Sequence, residues 1–278
     1  MLKRLLLLAL ALGWIASPGR VAAEAAAPEP EAPESAVSSP PMEMDDPGTP
    51  GRNGLEVNFV GTLVRLGTGR SSESLLDANY GIGDRIQLKY ERPYLTEHER
   101  GVSLQQGMGA TELGIKWRFV DSHGLAIAFY PQYSFDDGFR LKDEEGNTEE
   151  SEGRSSYFPL LVSEELGHLC TLGFNYGYRH NLAGHGDDNN LALGVGRAMT
   201  GDSRVLAEVY SERDESFHNR QTDVRVGYCF LPFPKSFEHS RFEAPVYASV
   251  GHSIGATEAG ERSTSVTFGV SLIVKPSE

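Results

Sequence analysis

Side chains that switch between polar and apolar at every position constrain this chain more than any other feature. Over residues 85–91, Arg85, Gln87, Lys89 and Glu91 fall on one side, and Ile86, Leu88 and Tyr90 on the other. Over residues 111–119, Leu113, Ile115, Trp117 and Phe119 share a face opposite Glu112, Lys116 and Arg118. A period of two marks a β-strand, because successive side chains leave a pleated strand on opposite sides. A soluble sheet hides its apolar face in a core. Here the polar faces carry charges of both signs on strands spread along the chain, which suits a closed membrane barrel with an apolar outside and a polar lumen.

The same pattern predicts an all-β fold, an antiparallel transmembrane β-barrel of about twelve strands. The expected strands are 55–66, 74–80, 84–92, 110–120, 125–134, 157–165, 169–179, 190–199, 204–212, 222–230, 244–252 and 264–274. The connections alternate as well. The even ones are tight and carry turn residues: Gly81, Ile82 and Gly83; Asp121 to Gly124; the neighbourhood of Gly167; Thr200 to Ser203. The third, fifth, seventh and eleventh are long and polar, and the first and ninth are intermediate. Outer-membrane barrels pair short periplasmic turns with long extracellular loops, so both chain ends are expected on the periplasmic side. The tenth connection, residues 231–243, breaks the rule: it is long and holds Pro232 and Pro234.

The barrel is expected to occupy residues 53–278. Lys3 and Arg4 precede an apolar run from Leu5 to Ile15, and Val21, Ala22 and Ala23 follow it. This is the pattern of a secretory signal peptide over residues 1–23, since the run is too short to span a bilayer. Residues 24–52 are rich in Pro, Ala and Glu near their start and show no periodicity, so they are expected to form a disordered spacer. Aromatic residues near strand ends, namely Tyr80, Tyr90, Trp117, Phe119, Tyr130, Tyr178 and Phe230, are expected in the girdles that barrels place at the two membrane interfaces.

The formal charge of −14 excludes nucleic acid as a natural partner, because that binding depends on Lys and Arg neutralising phosphates. The two cysteines, Cys170 and Cys229, have no metal-type spacing. They fall on opposite pattern faces, which disfavours a disulfide.

Several segments resemble a known family. Residues 45–51 read DDPGTPG and lead into LEVNF; residues 77–94 read DANYGIGDRIQLKYERPY; residues 109–119 read GATELGIKWRF. FYPQY, FPLLVSEELG and FNYGYRH follow at 129–133, 158–167 and 174–180. The chain in this region is similar to the phenol-degradation MetA-pathway family of outer-membrane β-barrel proteins, described as transporters. The resemblance implies a barrel in the bacterial outer membrane, with outer-membrane lipid and the barrel-assembly machinery as partners and a small solute as cargo. The family's phenol association comes from gene context, and no residue here reads out a phenol. Many barrels end on an aromatic residue, whereas this chain ends on Val274, Lys275, Pro276, Ser277 and Glu278.

The candidate lumen lining is Asp77, Arg85, Lys89, Glu91, Glu112, Lys116, Arg118, Glu208, Asp223 and Arg225, all on polar strand faces. In a water-filled pore such residues set selectivity. In a filled barrel they form a salt-bridged plug, because buried charge must be paired. Lys89, Arg118 and Glu112 lie on neighbouring strands and are expected to share one face. The acidic stretch 136–155 and the group Asp187, Asp188, Asn189 and Asn190 read as solvated loop, without the spacing of a calcium loop. No cofactor or metal ligand set is expected. Catalytic residues are not expected either: His252 and Ser253 are adjacent on one strand and point apart, and no HExxH occurs. The reading is a passive channel or transporter for a small solute, hydrophobic or aromatic by resemblance. The alternative is a non-conducting barrel that supports the envelope or displays loops, and the third reading is a lipid-modifying barrel enzyme.

Overall fold

The computed structural model describes residues 42–67, 69–98, 104–135, 154–167, 170–182, 186–232, 240–254 and 262–276. The expected leader, most of the spacer and nearly all of the acidic stretch 136–155 lie outside the described residues, as does 233–239 of the tenth connection.

Fifteen strands form one sheet. They are β1 (Leu55–Leu66), β2 (Gly69–Gly83), β3 (Ile86–His98), β4 (Gln105–Met108), β5 (Thr111–Ser122), β6 (Leu125–Phe129), β7 (Gln132–Phe135), β8 (Ser155–Leu166), β9 (Cys170–Asn181), β10 (Asp188–Thr200), β11 (Ser203–Asp214), β12 (Asn219–Phe230), β13 (Phe242–Glu243), β14 (Val246–Ser253) and β15 (Ser263–Val274). Each strand pairs antiparallel with its neighbours, and β1 pairs with both β2 and β15, so the sheet closes on itself. Twelve staves result, because β6–β7 and β13–β14 are each one stave broken once and β4 extends the wall beside β3. Closure leaves the sheet without an open edge, the condition for placing strands in lipid.

The two faces of the wall follow the alternation. In β5, Leu113, Ile115, Trp117 and Phe119 are exposed on the outside, while Lys116 between them is buried in the lumen. In β10, Leu193, Val195 and Met199 are outside and Ala192 is inside. Apolar groups are exposed and polar groups buried, the inverse of a soluble protein, which makes the outer surface a lipid contact.

Proline explains the breaks. β6 stops at Phe129 and β7 resumes at Gln132; Pro131 stands in the gap and Pro159 stands in the facing part of β8. Neither ring nitrogen donates to a ladder. The remaining groups adapt: Tyr130 N–H donates to the Pro159 carbonyl and Ile115 N–H to the Pro131 carbonyl, each at 3.0 Å. Pro245 separates β13 from β14 in the same way without changing the register against β15.

Three sequence expectations change. The first extracellular connection is not intermediate, because only residues 67 and 68 separate β1 from β2. The described end of the tenth connection is strand: β13 lies against β15, and Lys275 N–H donates to the Arg241 carbonyl at 2.7 Å. Residues 42–50 fall within the expected spacer 24–52. The structure instead lays 42–50 inside the barrel, with Met42, Met44, Asp46, Pro47 and Thr49 buried.

Candidate functional site

The lumen is lined by the inward half of every stave, and the segment 42–50 runs through it. That segment forms no strand, so its backbone needs partners from the wall. Glu208 on β11 supplies two: one carboxylate oxygen accepts Glu43 N–H at 2.9 Å and the other accepts Met44 N–H at 3.0 Å. Asn175 on β9 donates to the Asp45 carbonyl at 2.9 Å, and Lys116 on β5 donates to the Asp46 carbonyl at 2.8 Å. Thr49 donates to the Asp84 carbonyl at 3.0 Å, at the β2–β3 turn. Arg225 on β12 forms an ion pair with the Glu43 side chain, with Glu208 3.7 Å from its Nε. The Met44 side chain packs on Ala192 and Tyr210. The tethers therefore come from five separate elements of the wall.

A second polar group lies on β1, β2, β3, β5 and the β6–β7 stave. Lys89 bridges Glu91 at 2.7 Å and Glu112 at 2.9 Å, all three largely hidden from solvent. Ser134 also donates to Glu112, at 3.2 Å. Asp77 accepts from Asn58 at 2.8 Å and from Asn79 at 2.9 Å, and Gln87 donates to Asn79. Tyr130 is 1% exposed at the centre of this group. Its ring lies under Lys116, 4.7 Å from ammonium to centroid, close enough for a cation–π contact.

The ten expected lining residues divide accordingly. Lys89, Glu91 and Glu112 form one ion-paired group, with Asp77 across the ladder from Glu91. Lys116, Glu208 and Arg225 hold the N-terminal segment. Asp223 is half-buried on the same wall and accepts from Gln221. Arg85 is exposed on the two-residue turn after β2, off the strands altogether. Arg118 does not join Lys89 and Glu112: it turns toward the periplasmic end, 3.3 Å from Asp121 and 2.9 Å from the Asp84 carbonyl. Three inward steps along β5, past Lys116, separate it from Glu112 on the same face, which is too far for the two to meet.

The sequence reading missed Glu43, Met44, Asn58, Asn175, Tyr157, Tyr210 and Tyr130. The tyrosines carried a signal. Phe129 and Tyr133 are outward, so alternation places Tyr130 inward, not in the girdle. Tyr80, Tyr90, Trp117, Phe119, Tyr178 and Phe230 are exposed on the outside.

Beside Glu43 the lumen widens into a cavity of about 270 Å³ lined by Glu43, Thr62, Ser71, Glu73, Leu95 and Glu97 among others. It lies along the extracellular halves of β1–β3. At the extracellular end of β9, Asp187 accepts from Tyr178, from His180 at 3.0 Å and from Asn181 N–H at 3.1 Å.

No family model matches the chain, and no curated protein matches it in sequence. Solved structures match its fold. A COG4313 outer membrane channel from Pseudomonas putida F1 aligns with a TM-score of 0.62 at 8% identity, over 84% of this chain and 99% of that one. The NanC porin aligns at 0.54 and 10% identity, over 77% and 98%. The KdgM porin, solved in complex with disordered oligogalacturonate, aligns at 0.50 and 12% identity, over 78% and 97%. At such identities the likeness establishes the fold: an antiparallel barrel of the outer-membrane channel and porin type.

Proposed function

We propose that this chain is a passive outer-membrane channel for a small solute, narrowed by its own N-terminal segment. The observation that carries the reading is the way the lumen is filled. The non-strand segment 42–50 runs through it, held by separate polar tethers from β5, β9, β11, β12 and the β2–β3 turn. The surface left beside it is polar and acidic, which suits ions and small polar solutes. The tyrosine faces that would stack on an aromatic solute are already covered: Tyr130 by Lys116, Tyr157 by Arg179 and Tyr210 by Met44. An aromatic or hydrophobic solute thus rests on the resemblance to the MetA-pathway family alone. The fold shared with porins and channels supports the outer-membrane location.

The second reading is a non-conducting barrel, favoured by the same segment if it never leaves. Planar-bilayer recording separates the two. The full chain is expected to pass small currents, and a variant lacking residues 24–50 larger ones. A truncated barrel that folds and stays silent would sink the channel reading.

A further inference from the structure

On the outside of the barrel, at the extracellular ends of five adjacent staves, five exposed polar residues form one continuous row. The ladder pairs His98 with Arg70, Arg70 with Arg65, Arg65 with Thr264, and Thr264 with His252. All five are exposed. His252 Nδ1 and Thr264 Oγ1 are 3.0 Å apart. Arg262, also exposed, stands at the head of β15 beside them.

Two arginines directly opposite each other across a ladder repel, and such pairs destabilise a sheet. A chain with 39 acidic and 25 basic residues has carboxylates to spare, yet none among the described residues forms an ion pair with Arg65, Arg70 or Arg262. The acids at this end of the staves, Glu73 and Glu97, line the lumen cavity on the other side of the wall. One outward step below Arg65, the paired Leu63 and Val266 open the apolar belt. The cationic row therefore sits directly above acyl-chain level, where the headgroups of the outer leaflet lie.

We propose that Arg65 and Arg70 together bind a phosphate group of an outer-leaflet glycolipid, with His98, Thr264 and His252 as flanking hydrogen-bonding groups and Leu63 and Val266 against its acyl chains. Cross-strand partners stand about 5 Å apart at Cβ, so two guanidinium forks converge on one phosphate, the geometry in which arginine binds best. The phosphate supplies the counter-charge the wall withholds. The inference rests on the membrane orientation in the channel reading and not on conduction.

The test is native mass spectrometry of the full barrel in detergent with three probes: bisphosphorylated lipid A, its dephosphorylated form, and inorganic phosphate. The wild-type chain is expected to retain the bisphosphorylated lipid. The Arg65→Gln/Arg70→Gln variant should lose at least about tenfold in retention, given the usual contribution of each arginine at an anionic membrane surface. Arg70→Gln alone should fall between, which keeps the test valid if the double variant folds poorly by heat-modifiable mobility. Arg197→Gln, an exposed arginine on β10 near the opposite rim, should retain lipid as the wild type does. Equal retention by the double variant, equal retention of the dephosphorylated lipid, or displacement by millimolar inorganic phosphate would each overturn the proposal. Bilayer conductance of the same variants stays at the wild-type level, so a failure here is distinct from a failure of the channel reading.

Discussion

The Lys116 ammonium donates to the backbone carbonyl of Asp46 across seventy residues of sequence, at 2.8 Å. A wall side chain thus recognises the segment by its main chain, and the partner residue's identity hardly enters. This makes the two faces of β5 separable by mutation. Leu113 is exposed to lipid, and charge at the bilayer midplane of a barrel exterior costs about 2–4 kcal/mol. Leu113→Arg should therefore cut the folded fraction sharply in heat-modifiable gel mobility. Lys116→Ala should leave the barrel folded and loosen residues 42–50. Equal loss of folding from both would contradict the assignment of faces.

Glu208 and Arg225 give a second handle on the segment. Removing both as Glu208→Ala/Arg225→Ala deletes the acceptor for two backbone amides and the cation paired with Glu43. Met44, 1% exposed in the native fold, reports the result as Met44→Cys. Maleimide labelling should be slow in the otherwise native barrel and at least about tenfold faster in the double variant, since charge-assisted hydrogen bonds contribute about 1.5–3 kcal/mol each. Unchanged labelling would mean that the tethers do not hold the segment.

Lys89 lies within ion-pair distance of two carboxylates at once. Lys89→Met leaves Glu91 and Glu112 facing each other without a cation, and breaking a buried pair by removing one partner typically costs about 3–5 kcal/mol. The urea midpoint should drop accordingly. Adding Glu112→Gln to Lys89→Met should recover part of the loss, because it removes the stranded charge. A double variant less stable than the single would argue against the pairing.

The rim carries a pH signature. The Asp187 carboxyl is held down at about 2, first by the Tyr178 phenol, then by His180 and the Asn181 amide. Its folded value lies below the ordinary value of about 3.9. The stabilisation is thus fully present above that value and disappears as pH falls through about 2. A carboxyl carbon titration by NMR should find a midpoint near 2 and an upward move in Tyr178→Phe. A wild-type midpoint near 4 would refute the hydrogen-bond set.

What the sequence reveals and hides follows from which atoms make each contact. The stave of β5 was legible because Leu113, Ile115 and Trp117 face lipid and only alternation achieves that. The placement of residues 42–50 was not legible: their main contacts use backbone amides and carbonyls, which every sequence supplies, and they have no period. Tyr130 was legible in principle, through its position one residue after outward Phe129. Arg118 misled because alternation sets a side chain's face and says nothing about its height along the stave. The break at Pro131 was written in the sequence, but its match with Pro159 needed the β8 register.

Residues 42–50 leave the ribosome before any stave, yet their partners lie far downstream: Asn175 is 130 positions from Asp45, and Arg225 is 182 from Glu43. Contacts of such sequence separation form late, because the chain entropy of long loops must be met first. The seam between β1 and β15 joins the first stave to the last. The segment's docking surface on β9–β12 is complete only when nearly all the wall exists, and sealing the seam then encloses what has docked. Maturation of this barrel thus carries a built-in order, in which residues made before any stave are among the last to find their place.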